Sequence, residues 1–230
     1  MKKIIILLLT VVMIVSVLSV CVFAGTDVCD GKFYDLFNDD TGYKLNADNS
    51  VTMGWIGETA KNYLWSLKDT TLTAGDYTFE IEFTVPNESI KDVTYPSAII
   101  EWGVKSPDDT WYTKGMGIKF INYSSLSTPI TADVYDNTAG KLTVINTFAE
   151  GFSFDAAAVK LDGSYNKFKL VKTGNKYDVF VNGVLFLDDY ATEENAGNVI
   201  GFGINGAPKT EGKKLASFRN FKLTAGDKIV

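Results

Sequence analysis

Residues 76–85 alternate strictly: Tyr77, Phe79, Ile81, Phe83 and Val85 fall on one face, Thr78, Glu80, Glu82 and Thr84 on the other, until Pro86 ends the run. A period of two is that of a β-strand with one face against a core and the other towards water. Other candidate strands are 51–56, 63–68, 98–104, 116–122, 130–135, 142–148, 167–173, 177–181, 184–188, 199–204 and 217–224, short runs rich in β-branched and aromatic side chains and bounded by Gly, Pro, Asn and Asp. Helix is expected only as short turns near 58–61, 156–159 and 192–196.

The segment 165–187 reads as three antiparallel strands joined by tight turns. Thr173-Gly174-Asn175 breaks the first alternating run, and Asn182-Gly183 is the pair that a type I′ turn requires, because both central residues must take positive φ. Such a meander cannot bury its apolar face alone and must lie on a second sheet. The expected fold is therefore all-β, a two-sheet antiparallel jelly-roll sandwich. The polar loops at 86–95, 106–110, 122–129 and 207–213 are too short to separate two domains.

The N-terminus has a different character. Lys2-Lys3 precede an apolar run from Ile4 to Val20, and Val22-Phe23-Ala24 supplies small residues at the positions a signal peptidase reads. This predicts a signal peptide at 1–24, cleaved before Gly25, and a single sandwich domain at 25–230. An uncleaved anchor is the alternative, since the run approaches the ~18 residues of a spanning helix. Both readings place the domain outside the cytoplasm, secreted or at the cell surface, and cleavage leaves nothing to insert in a membrane.

Composition narrows the chemistry. The chain carries a net charge of −6, and loss of the leader leaves 20 cations against 28 acids, a balance of −8. That argues against nucleic acid and anionic lipid, which need clustered Lys and Arg, and suits a neutral or cationic ligand better. Only Cys29 survives processing, so no disulfide closes within the mature chain; we read it as a free thiol and the protein as a monomer. The absence of histidine excludes Ser-His-Asp and Cys-His nucleophile systems and His-rich zinc sites. Gly201, Gly203 and Gly206 formally match a dinucleotide fingerprint, but Pro208 and Gly212 break the helix that must follow, so this is read as a buried Gly-rich strand.

The 165–187 hairpin, an aromatic followed by Asn and then strands turning at Val-Asn-Gly-Val, resembles that of laminin-G-like, concanavalin A-like jelly rolls, with Tyr165 in place of the usual Trp. The segments 35–40 and 218–223 resemble the paired first and last strands of that family. The resemblance implies a sandwich that commonly serves carbohydrate recognition, alone or appended to enzymes.

Sugar sites combine an aromatic plate, on which the C–H face of a pyranose stacks, with polar groups that orient hydroxyls. Trp111 and Tyr112, beside Asp108 and Asp109 in a polar loop, are the foremost candidates. Trp102 and Glu101 occupy opposite faces of one run, and the apolar face that carries Trp102 also admits a core role for it. Glu80 and Glu82 lie on one strand face at ~6.6 Å, near the spacing of a glycosidase carboxylate pair. Laminarinase-like hydrolases of this fold carry Glu-x-Asp-x-(x)-Glu on such a strand; here Glu82 stands in place of Asp, and Thr84 or Val85 in place of the third acid. Asn38-Asp39-Asp40 and Asp188-Asp189 are oxygen-rich enough for a structural calcium but equally serve as turn formers, so no metal ligands are assigned. The preferred function is a secreted non-catalytic module that binds polysaccharide or glycan. A carboxylate-dependent glycoside hydrolase or lyase, and an extracellular adhesion protein, remain the alternatives.

Overall fold

The computed structural model describes residues 33–35, 43–45, 50–54, 63–67, 75–86, 97–105, 115–122, 130–141, 143–148, 159–160, 162–192, 196–205 and 214–225. Within these the chain is all-β, in 14 strands. They are β1 (Phe33–Asp35), β2 (Tyr43–Leu45), β3 (Val51–Gly54), β4 (Tyr63–Leu67), β5 (Tyr77–Phe83), β6 (Ser97–Val104) and β7 (Met116–Asn122). The second half supplies β8 (Ile130–Asp136), β9 (Thr143–Phe148), β10 (Asn166–Thr173), β11 (Lys176–Val181), β12 (Val184–Ala191), β13 (Val199–Asn205) and β14 (Lys214–Ala225). They form two seven-stranded antiparallel sheets, ordered β1-β4-β13-β6-β7-β8-β9 and β12-β11-β10-β5-β14-β3-β2. This is the jelly-roll sandwich that the alternation predicts. β1 and β2 are three-residue strands that no alternation announces. Residues 36–40, most of the segment that the resemblance pairs with 218–223, lie outside the described residues; β1, which ends at Asp35, lies against β4 in one sheet, while β14 is held between β3 and β5 in the other.

Burial follows the sequence period. In β5 the apolar residues are buried and the polar ones half-exposed, and β10 repeats this with Phe168 and Leu170 inward, Lys167 and Lys169 outward. Aromatic rings bridge the layers: Phe83 meets Phe120 at 4.6 Å, Phe202 meets Phe218 at 4.7 Å and Phe221 at 4.8 Å, and Trp102 meets Phe168 at 6.1 Å between ring centres. Such contacts contribute beyond the area they bury.

The turns of the meander are built as their residues require. Asn182 and Gly183 take φ of 50° and 84°, the type I′ pattern, whereas in the Gly174-Asn175 turn only Gly174 is positive, at 62°, the type II′ pattern. The fully buried Asn166 fastens the hairpin: its Oδ1 accepts from the Lys160 amide at 2.7 Å and from Asn182 Nδ2 at 2.9 Å, and its Nδ2 donates to the Lys160 carbonyl at 3.0 Å. In β14 the register slips between Arg219 and Lys222, and Asn220 takes φ of 54°. This bulge adds one residue, so Phe218 and Phe221 both face the core while Arg219 and Lys222 face out.

The opposite end of the core is closed by phenols. Tyr190 Oη donates to Asp136 Oδ2 at 2.8 Å, tying β12 of one sheet to β8 of the other. Asp136 Oδ1 meanwhile accepts from Thr138 N and Oγ1 at 2.8 and 2.7 Å. Burial first, then the Asp136 charge, pushes the Tyr177 phenol up to about 12, and burial followed by the Tyr177 charge pushes Tyr77 up as well. In the unfolded chain a phenol titrates near ~10. The neutral phenols therefore stabilise the fold fully below that value, and their contribution is lost as pH rises towards the folded-state value. Urea unfolding is expected to show stability falling by about 2–3 kcal/mol between about pH 10 and 12 from Tyr177 alone. A profile flat across that interval would contradict this.

Candidate functional site

The outward face of the second sheet presents a grid fixed by strand register. Lys167 of β10 lies opposite Glu82 of β5, which lies opposite Arg219 of β14; one row along, Phe180 of β11, Lys169, Glu80 and Lys222 stand side by side. Leu185 of β12 pairs with Phe180 and is 45% exposed, extending an apolar shelf to the sheet edge. A cleft of about 430 Å³ opens over these rows, rimmed by Gly183 and Asn220. Both rim residues owe their place to positive φ, one in the type I′ turn and one in the β14 bulge.

Charge is partly matched across the strands. Arg219 Nε donates to Glu82 Oε2 at 2.8 Å, while the guanidinium lies 3.7 Å from the ring centre of Tyr165. Lys222 Nζ lies 3.7 Å from Glu80 Oε2. The Lys169 ammonium lies 5.8 Å from the centre of the Phe180 ring, a cation–π contact at the floor of the cleft. The arrangement offers one aromatic plate, two acceptors and several donors within a concave surface, which is what a sugar ring needs.

Of the six candidates from the sequence, the four that are described do not converge. Glu80 and Glu82 line the cleft. Trp102 is 0% exposed and its ring packs on Phe168, so it belongs to the core between the sheets. Glu101, also 0% exposed, sits in β6 of the other sheet, opposite Gly117 and Gly201, and not on a strand neighbouring β5. Because Trp102 points inward, Glu101 points away from the core, on the far side of the sandwich from Glu80 and Glu82. Trp111 and Tyr112 lie outside the described residues, as do Asn38-Asp39-Asp40. Asp188-Asp189 sits in an irregular stretch of β12, where Asp189 takes φ of 48°, pairs with Lys176 and donates its amide to Asp178 Oδ1 at 2.6 Å.

Sequence reasoning missed Phe180, Lys167, Lys169 and Lys222. Phe180 carries a legible signal: it interrupts the polar face of β11, between Asp178 and Asn182, while Tyr177, Val179 and Val181 make up the apolar one. The lysines carry none, because only strand order brings them together.

No family model matches the chain, and no curated protein matches it in sequence. Solved structures do share its fold. The carbohydrate binding module CBM66 from Bacillus subtilis is similar at TM-score 0.52 and 10% identity, over 84% of this chain and 95% of that one. A Bacillus subtilis protein of unknown function with a galectin-like fold reaches TM-score 0.53 at 13% identity, over 85% and 90% of the two chains. The carbohydrate recognition domain of Emp47p gives TM-score 0.52 at 13% identity, over 88% and 94%. At such identities the likeness shows the fold, a galectin-like jelly-roll sandwich, and nothing of the site.

Proposed function

We propose that this chain is an exported, non-catalytic module that binds polysaccharide or glycan in the cleft on the outward face of the second sheet. The observation that carries the reading is Phe180, a half-buried aromatic on a concave surface that hydrogen-bonding side chains from three further strands complete. A pyranose stacked on that ring would place its hydroxyls beside Lys169, with Glu80 and Lys222 one and two strands farther along the cleft for the next sugar. The fold it shares with a carbohydrate binding module and a carbohydrate recognition domain supports the same reading. So does the laminin-G-like cast of the 165–187 hairpin, whose Tyr165 ring stacks on Arg219, the partner of Glu82. The ion pairs that engage Glu80 and Glu82 suit residues that position a ligand more than a pair poised for hydrolysis. Cleavage of residues 1–24 would deliver residues 25–230 outside the cell as one domain, and Trp111 and Tyr112 are proposed as an accessory contact.

The test is retention on a panel of insoluble and immobilised polysaccharides. Phe180→Ala is expected to weaken binding about tenfold or more, by loss of stacking, while the melting curve stays unchanged. Wild-type protein that is retained by no glycan, or a Phe180→Ala variant that binds as well as wild type, would contradict the proposal.

A further inference from the structure

Resting on that reading, we infer that the cleft selects an anionic glycan, one whose sugar rings carry carboxylate or sulfate groups. The chain as a whole is acidic, at −6, and its overall charge points to a neutral or cationic ligand. The cleft inverts this balance. Three lysines, Lys167, Lys169 and Lys222, line it with Glu80 and Glu82, and Arg219 stands beside it on Glu82, so the grid holds four cations against two carboxylates. The next residue on the same face of β11, Asp178, accepts the Asp189 amide.

The distribution of partners locates the excess. Arg219 takes Glu82 and Lys222 takes Glu80, both from β14. Among the described residues neither the Lys167 nor the Lys169 ammonium has an ion-pair partner, and Lys169 instead lies over Phe180. These two lysines are alternate residues of β10, about 6.6–7 Å apart along one strand, and they stand between Phe180 and the glutamates. A ring stacked on Phe180 therefore carries its substituents towards two ammonium groups that no carboxylate among the described residues engages in an ion pair. A neutral sugar would leave that excess standing; a carboxylate or sulfate would neutralise it with charge-assisted hydrogen bonds. The acidic remainder of the surface would repel the same polymer elsewhere, confining capture to this cleft.

The experiment pairs each acidic polymer with a neutral one of the same backbone: polygalacturonate with its methyl ester, and dextran sulfate with dextran, with polyglutamate as a polyanion that has no sugar. Affinity electrophoresis or calorimetry on the full protein is expected to favour at least one acidic member by about tenfold or more over its neutral partner. That preference should shrink as salt rises from about 0.05 to 0.5 M. The Lys167→Gln, Lys169→Gln double variant should bring the two affinities of that pair within about twofold, with an unchanged melting curve. Which pair responds separates carboxylate from sulfate. Binding to neutral members with no acidic preference would overturn this inference and leave the glycan reading standing. Equal capture of polyglutamate would overturn it as mere charge attraction. Binding to none of these polymers would overturn it too, and the wider polysaccharide panel above would then decide the glycan reading separately.

Discussion

Truncating Trp102 to alanine is expected to lower the unfolding free energy by about 3–5 kcal/mol, a large share of the roughly 5–15 kcal/mol that holds a domain folded. The side chain is the largest fully buried one among the described residues and reaches from β6 to Phe168 of the opposite sheet, so its removal opens a cavity that neither sheet can collapse to fill. Trp102→Phe should cost much less. The indole Nε1 has no hydrogen-bond partner among the described residues, and deleting a buried unsatisfied donor offsets part of the lost packing, by about 1–3 kcal/mol. Urea unfolding of the three proteins checks this. A Trp102→Ala midpoint close to wild type would mean that the indole is not core, and would return it to the list of ligand contacts.

Gly197→Ala should be nearly as severe, costing about 2–4 kcal/mol. The amide of Gly197 donates to the Gly103 carbonyl at 2.7 Å, and this contact brings the chain just before β13 onto the end of β6. A methyl group there would meet the Val104 carbonyl oxygen at 1.9 Å and the Lys105 Cα at 2.3 Å. Both are backbone atoms and cannot swing aside. Beside it, Gly103 takes φ of 62° where the β6–β13 register slips, so neither strand can shift to relieve the clash without losing pairing. Gly140→Ala is the control for backbone handedness alone: Gly140 has φ of 76° with open space around it, and about 1–2 kcal/mol is expected there. Equal melting shifts for the two variants would show that close approach at Gly197 does not matter.

How much of this the sequence discloses depends on the range of each interaction. The β5 alternation and the Asn182-Gly183 turn are local, each fixed by residues within a few positions, and both appear where the pattern puts them. The three-residue strands β1 and β2 are too short to show a period, and the β14 bulge is hidden because Asn220 reads as an ordinary polar residue until its φ is known. The site is legible only in part for the same reason. Glu80 and Glu82 declare their shared face through spacing, but Glu101 can be separated from them only by knowing that β6 and β5 belong to different sheets. Likewise the positive character of the cleft is not a property of any segment. It arises where β10 and β14 flank β5, setting lysines and an arginine on both sides of two glutamates.

That register-built surface is the centre of the account, and titrating isotope-labelled protein with soluble oligosaccharides of the polymers that bind tests it most directly. Backbone and side-chain resonances of Phe180, Lys167, Lys169, Glu80 and Lys222 are predicted to move together and saturate at a single affinity. Shifts confined to the segment around Trp111 and Tyr112, or to the Glu101 side of the other sheet, with the Phe180 resonances unmoved, would contradict it.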